Sequence, residues 1–348
     1  MSSINITNVE ELLEYSNNCF EKIMRKHIVI ILNSQKNLAP SPTLEFEHAN
    51  SIELFTDTEY QEIVEAFDEL KVKYSIYYEE LSFMTDVLNG NLIPADIVVF
   101  NFARNGIKEG KKSLIPSFCD LLNIIYTGSG AFAQSLCRNK FVYNKLLQQI
   151  GLKMPKTCGY TPQGKWMGGL EPHDLDKVII KPIAESGSIG VSKEIVHYNS
   201  LNKNDINFIH NQTMLFQEYI IGKEVECPFF VINGNVIALP AIELKIKNQS
   251  FLDIETSANN DYTFSIFNTE KAVQLYPLLD KIVSTLNING YGRADFRVTK
   301  DGEMFLFDVA TMPFICKHSS FAFAMEYLNL KRSDIFKIIL CIALHNKV

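Results

Sequence analysis

The chain has 348 residues, a formal net charge of −7, a pI near 5.6 and a hydrophobic content of 47%. That is enough apolar material for two or three packed cores without disulfide or metal staples, and the mild acidity, with no basic stripe, excludes a protein built to hold a nucleic-acid backbone. Seven cysteines, an odd total with no C-x-x-C spacing, suit a reducing compartment. The apolar patch around IFKIILCIAL falls short of the ~20 residues that span a bilayer, and MSSINITNVEELLEYSNN lacks the pattern of a signal peptide, so a cytoplasmic protein with no membrane partner is expected.

From Asn8 to about Lys26, Val9, Leu12, Leu13, Phe20, Ile23 and Met24 recur at helical spacing behind the cap residue Asn8, which predicts a helical extension over 1–26. His27 to Leu32 is a β-branched run suited to a buried strand, followed by a polar loop from Asn33 to Ile52. A helix capped near Thr56 or Asp57, a buried strand ADIVVFNF (95–102), a helix near Leu114 to Leu122 and a strand Ile124 to Tyr126 continue the alternation. They predict a parallel sheet with crossover helices over 27–127.

TGSG (127–130) marks a turn, and Ala131 to Ile150 reads as helical with an interruption near Arg138. The strand Val178 to Pro182, the Gly/Ser loop AESGSIGVSK and a strand Met214 to Ile220 follow, giving a central domain over 128–213 and a third over 214–348. The third opens with strands Glu224 to Ile232 and Asn235 to Leu244 joined at Asn233-Gly234, a strong hairpin signal. After a helix from about Glu270 to Leu286, GRADFRV and EMFLFDV form a second hairpin across Lys300-Asp301-Gly302, and a last helix starts at the cap Ser333.

Lys181 ends a predicted strand beside a loop whose backbone N–H groups can face phosphate oxygens; an ordinary connection with a solvated lysine has the same signature. Asp295 in GRADF and Asp308 in FLFDV stand where hairpin strands can bring two carboxylates together, a pairing that calls for a cation such as Mg²⁺. Arg293 shares the face of Asp295 by the period of two, to serve either a developing oxyanion or a salt bridge with that aspartate. The histidines, among them His27, His48 and His318, show no zinc spacing. His318-Ser319-Ser320 reads as a pocket edge or a plain polar loop, with no base placed to make Ser319 a nucleophile.

Taken in order, YTGSGAFAQSLCRNKFVYNKLL, IIKPIAESGSIGVSK, FQEYIIGKEVECPFF, GRADF and FLFDVATMPF resemble the successive motifs of the D-alanine:D-alanine ligase family of the ATP-grasp superfamily. The resemblance implies an α/β protein with a three-domain ATP-grasp fold: an N-terminal parallel α/β domain and two α+β domains clamping ATP. It assigns Lys140 and Lys181 to the ATP phosphates, Glu185, Ser186, Gly187, Ser188 and Ile189 to the phosphate cover, and Gln217, Glu218, Tyr219 and Ile220 to adenine. Glu224 is assigned to the ribose, and Phe307 completes the nucleotide set. Arg293, with Glu53 and Ser319, falls on the catalytic side, and Asp295 and Asp308 on the metal, Mg²⁺ or Mn²⁺.

The departures matter too. The family's E-x-N metal pair reads here as Asp308 and Ala310, which removes one oxygen ligand. A loop serine becomes Gly187, Phe314 stands where glycine is common, FLDIETSA lacks the lysine and tyrosine of F-Y-D-Y-E-A-K-Y, and H-G-x-x-G-E-D-G is matched only loosely by ARNGIKEG. The resemblance therefore implies a carboxylate–amine ligase acting through an acyl phosphate on amino acids or peptides, free or carrier-bound, with a product other than D-Ala-D-Ala. An ATP-binding protein without turnover and a kinase-like transfer are the alternatives; a homodimer and no nucleic-acid partner are expected.

Overall fold

A computed structural model describes residues 6–37, 53–106, 108–172, 175–246, 251–252, 255–256 and 259–346. Most of the polar loop expected up to Ile52, His48, and parts of ARNGIKEG and FLDIETSA lie outside the described residues. Helix α1 (Val9–Met24), capped by Asn8, precedes strand β1 (His27–Leu32). Helix α2 (Asp57–Leu70), strand β2 (Lys73–Tyr77), helix α3 (Glu80–Leu88), strand β3 (Ile97–Phe102), helix α4 (Leu114–Leu121) and strand β4 (Ile125–Tyr126) follow. The four strands pair in parallel in the order β2-β1-β3-β4. Both faces are covered, which is why β1 reads as an unbroken apolar run: Ile28, Ile30 and Leu32 enter one core, Val29 and Ile31 another. Thr56 closes a capping box with Glu59 and fixes the start of α2.

Helices α5 (Ala131–Arg138) and α6 (Lys140–Gln149) are separated at Asn139, whose side chain accepts from the Val142 N–H at 3.0 Å and caps α6. The break expected near Arg138 thus has a purpose, since it starts a new helix at Lys140. Strands β5 (Thr157–Tyr160), β6 (Lys177–Pro182), β7 (Val196–His197) and β8 (Met214–Glu218) make an antiparallel sheet in the order β5-β8-β6-β7. Its small core of Leu175, Val178, Ile180, Met214 and Phe216 is flanked by partly buried aromatics, with Trp166 edge-on to Phe216.

The largest sheet holds β9 (Lys223–Ile232), β10 (Asn235–Ala238), β11 (Ile242–Ile246) and β12 (Tyr262–Ile266). Two corrections fall here. The strand expected from Asn235 to Leu244 is two strands, because Pro240 has no N–H to continue the ladder; β10 and β11 pair with different stretches of β9. The helix expected from Glu270 is also two, α7 (Thr269–Ala272) and α8 (Tyr276–Leu286), the second opening with Pro277 in its first turn. Strands β13 (Gly290–Val298) and β14 (Met304–Ala310) complete the sheet, and helices α9 (Ser320–Tyr327) and α10 (Arg332–Asn346) close the chain. β2, α3, β5, β7, β12 and α9 were not anticipated from the sequence.

Helix α10 is buried on nearly every side from Ile335 to Leu344. It joins β1 and β3 of the first sheet, α2 and β9 of the largest sheet in one continuous core. Helix α1 packs along its remaining flank, with Tyr15 Oη 2.8 Å from His345 Nδ1 and Lys337 Nζ donating to Asn17 Oδ1 at 2.7 Å. The N-terminal extension is therefore the cover of the C-terminal helix.

A close backbone contact locks the TGSG turn to β13. Gly290 has φ +77°, and a Cβ placed there would stand 2.8 Å from the Gly128 Cα. Beside it, Ser129 Oγ donates to the Asn289 carbonyl and accepts from its N–H, both at 3.0 Å. Gly290→Ala should cost ~2 kcal/mol or more, from the left-handed backbone plus overpacking. Urea unfolding measures it, and a loss under ~0.5 kcal/mol would mean that the junction relaxes freely.

Candidate active site

The β13–β14 hairpin supplies the base of a cleft of about 800 Å³. Asp295 on β13 faces Asp308 on β14 directly across the ladder, and Arg293 faces Ala310. Just beyond, Phe296 pairs with Leu306, so Phe307 is an extra residue on β14 and forms a bulge. In a regular strand Phe307 and Asp308 would point to opposite faces; with the bulge both line the cleft. On the other side of β13, Asp295 faces Glu226 and Arg297 faces Glu224, both on β9.

The period of two therefore gathers Arg293, Asp295, Arg297, Glu224 and Glu226 on one face of the sheet. Arg293 grips Asp295 with two bonds, Nε to Oδ1 at 2.7 Å and Nη2 to Oδ2 at 2.8 Å, and its Nη1 lies 3.2 Å from Glu226 Oε2. Arg297 pairs with Glu224 at 2.7 Å. Of the two uses open to Arg293 in the sequence, the salt bridge is present, and the same side chain lines the cleft. Glu226 and Arg297 were missed, although the alternation in KEVEC and GRADFRV carried the signal.

Lys140 comes from the first turn of α6 and Lys181 from the end of β6. Lys140 Nζ lies 3.3 Å from Asp308 Oδ1, which also accepts from the Tyr143 hydroxyl at 2.9 Å. The two aspartates are driven apart in protonation. Burial opposes ionisation of Asp308, but Lys140, Lys181 and the Tyr143 hydroxyl outweigh it and hold its pKa down at about 2. Burial instead raises Asp295 well above the ordinary carboxylate range, against the pull of Arg293. Burial also lowers Lys181 to about 8, despite the nearby Asp308.

The loop after β6 turns through two successive left-handed residues, Gly187 at φ +62° and Ser188 at φ +59°. Ser188 Oγ donates to the Leu252 carbonyl at 3.1 Å, tying the loop to the opposite wall. Lys140 Nζ donates to the Glu185 carbonyl at 3.0 Å. Gln217, Glu218, Tyr219 and Ile220 follow along the end of β8, with the Tyr219 N–H donating to the Lys177 carbonyl at 2.9 Å. Phe307 sits beside both cations, its ring 5.9 Å from Lys181 Nζ and 5.6 Å from the Arg297 guanidinium.

At the far end stand Glu53 and Ser319. Ser319 caps α9, its Oγ accepting from the Ala322 N–H at 3.1 Å and donating to the Cys316 carbonyl at 2.7 Å. Glu53 is buried among cations, with Lys111 in contact and Arg138 at 3.7 Å. The residues singled out from the sequence thus line a single cleft, from Glu53 through Lys140 and Lys181 to Gln217–Ile220, Glu224, Phe307 and Asp308. Tyr143, Arg104 and Lys112 were not singled out; nothing local in FVYNK or ARNGIKEGKK marks a side chain that turns inward.

A hard cation can be tested against this donor set. Asp308 is ionised, with its side chain 28% exposed toward the cleft, whereas both oxygens of Asp295 are taken by Arg293 and Ala310 offers none. The set suits an ion that draws the rest of its oxygens from water and phosphates, as Mg²⁺ does.

The model of the D-ala D-ala ligase C-terminus family matches residues 164–341, half of the chain. The D-alanine–D-alanine ligase of Methylibium petroleiphilum is 26% identical over 228 residues, covering 61% of this chain and 69% of that protein. The one from Geobacillus thermodenitrificans is 23% identical over 252 residues, covering 68% and 67%. Among solved structures, the D-alanine–D-alanine ligase of Bacillus anthracis complexed with ATP superposes with a TM-score of 0.66 at 18% identity, over 92% of this chain and 98% of that one. The VanG D-Ala:D-Ser ligase of Enterococcus faecalis gives 0.63 at 18% identity, over 93% and 100%. With these folds matched over nearly their whole length and the family model over half of the sequence, the chain belongs to the D-alanine–D-alanine ligase family, a family of ATP-dependent carbon–nitrogen ligases on the ATP-grasp fold.

Proposed function

We propose that the protein uses ATP to phosphorylate a carboxylate and joins the acyl phosphate to an amine, making an amide or peptide bond between amino-acid-like substrates other than two D-alanines. The observation that carries this reading is the grouping at the base of the cleft: an ionised Asp308 beside Lys140 and Lys181, opposite an arginine clamped on a buried aspartate. Phosphoryl transfer and acyl substitution both need positive charge fixed where negative charge develops. Lys140 and Lys181 hold the phosphates under the loop Glu185–Ile189, the backbone of Gln217–Ile220 meets adenine, and Glu224 and Phe307 border the ribose and base. Arg293, held in place by Asp295 and Glu226, faces the tetrahedral oxyanion. Mg²⁺ held by Asp308, with water and phosphate oxygens in its other positions, would neutralise phosphate charge during transfer.

The substrate assignment departs from D-alanine because the chain differs from the family pattern at Gly187, near the first substrate, and at Phe314, near the oxyanion site. The domain division at 26, 127 and 213 belongs to the same reading, with ATP between the last two units. A homodimer, and free or carrier-bound substrates, are carried on the family resemblance. A second reading, nucleotide binding without ligation, is favoured by Ala310, which leaves the metal one oxygen short, and by Arg293 occupying both oxygens of Asp295.

Release of ADP with ATP and Mg²⁺ across a panel of amino acids, singly and in pairs, tests the choice when the products are weighed by mass spectrometry. A product equal to two substrates minus water establishes the ligase; nucleotide binding without turnover across the panel supports the second reading. Lys181→Ala should weaken ATP at least tenfold, as expected for loss of a charged hydrogen bond worth ~1.5–3 kcal/mol, and unchanged affinity would remove it from the phosphates. Because Lys181 loses its proton near pH 8 in the free protein, and bound phosphate favours the charged form, ATP affinity should be full below that pH and fall above it. Asp308→Asn should cut metal-dependent turnover by ~100-fold, while Ala310→Asn should raise it; a mild loss in the first would misplace the metal.

A further inference from the structure

The Glu53 end of the cleft holds more buried positive charge than the described residues balance. Arg104 is 2% exposed, Lys111 2%, Lys112 9% and Arg138 6%. Glu53, equally buried, is engaged by Lys111 and Arg138, and Arg138 also reaches Glu185 at 3.5 Å. Arg104 and Lys112 then have no carboxylate within ion-pairing distance among the described residues. The Arg104 guanidinium lies over Phe314 at 4.0 Å and Phe55 at 4.6 Å and gives one bond, Nη1 to the Glu53 carbonyl at 3.3 Å. Its Nε and Nη2 are buried without a hydrogen-bond partner among the described residues. Both Arg104 and Lys112 line the cleft.

A buried arginine with two idle donors and a buried lysine among like charges are costly in the free protein. Burial and the neighbouring cations push the Lys112 ammonium well below its ordinary range, with Glu53 the main opposing charge. A ligand carrying negative charge would relieve both. A ligand ammonium would not, because it would add a fifth positive charge beside Glu53, which Arg104, Lys111, Lys112 and Arg138 already surround.

We propose that the acid substrate carries a second anionic group, a carboxylate or a phosphate, which Arg104 and Lys112 receive at the Glu53 end of the cleft. The assignment rests on the ligase reading for the word substrate and on the unbalanced cations for the anion. The planar Nε and Nη2 pair of Arg104 matches two oxygens of either group, and the rings of Phe55 and Phe314 hold the plane in place.

The test uses the full-length protein with a non-hydrolysable ATP analogue and Mg²⁺, reading the shift of the thermal midpoint with alanine, glutamate and O-phosphoserine in both enantiomers. Ligation rates are measured in parallel with ATP. Glutamate or O-phosphoserine should raise the midpoint where alanine does not, and kcat/KM for the acidic acid should exceed that for alanine at least tenfold; the stronger of the two identifies the anion. Lys112→Met should remove the ligand-induced shift while raising the midpoint of the free protein, since the cost of burying its amine is gone. Arg104→Met should reduce the preference by at least tenfold.

Equal use of alanine and glutamate would overturn the proposal and leave the ligase standing. A glutamate-dependent shift abolished in Lys112→Met, without turnover of any acid, would keep the anion site and remove the ligase. A lower midpoint for free Lys112→Met would make the lysine structural, and an equal loss of nucleotide affinity would place the cations on ATP; either result overturns the proposal.

Discussion

Two carboxylates face each other across adjacent strands, and the base of the cleft is organised around the cost of burying them. The fold meets that cost asymmetrically. Asp295 is closed off by Arg293, while Asp308 is kept ionised by lysines from two other elements. Each cation depends on a feature of its own: Lys140 on the break at Asn139, Lys181 on the rigid end of β6, Arg293 on the alternation along β13. The hairpin register thus determines where the rest of the site must converge.

The bulge at Phe307 shows how one backbone irregularity sets composition. Without it, Asp308 could face the cleft only with Phe307 turned to the opposite face of the sheet. With it, an aromatic ring and a carboxylate enter side by side, next to Lys181 and Arg297. A nucleotide needs both an apolar plane and fixed charge, and the bulge delivers the two from consecutive residues.

Much of this was legible in the sequence because it depends on short-range rules. Continuous β-branched runs marked the parallel strands, Asn233-Gly234 and Asp301-Gly302 marked the hairpins, and period-two alternation put Arg293 with Asp295. The failures have equally local causes. Pro240 divided an expected strand and Pro277 opened a second helix where one had been read, both through missing N–H groups. β12 and α9 carry too little periodicity to stand out. Arg104, Lys112 and Tyr143 could not be read, because inward-turned polar side chains in unremarkable segments are revealed only by what packs around them. The ordered family motifs pointed to the nucleotide residues, whereas Arg104, Lys111 and Lys112 lie in or just after ARNGIKEG, where that resemblance is loose.

Helix α10 joins the first sheet to the last, and it is made after both. During synthesis, the face of the first sheet formed by Ile28, Ile30, Val98 and Phe100 emerges more than two hundred residues before Phe336 and Ile339 arrive to cover it. Helix α1 waits likewise for its partner. The nascent chain must carry that open apolar surface while those residues are added, at ~5–20 residues per second. Ribosome pace and the chaperones that shield such surfaces therefore bear on its yield in a cell, beside the stability of the finished fold.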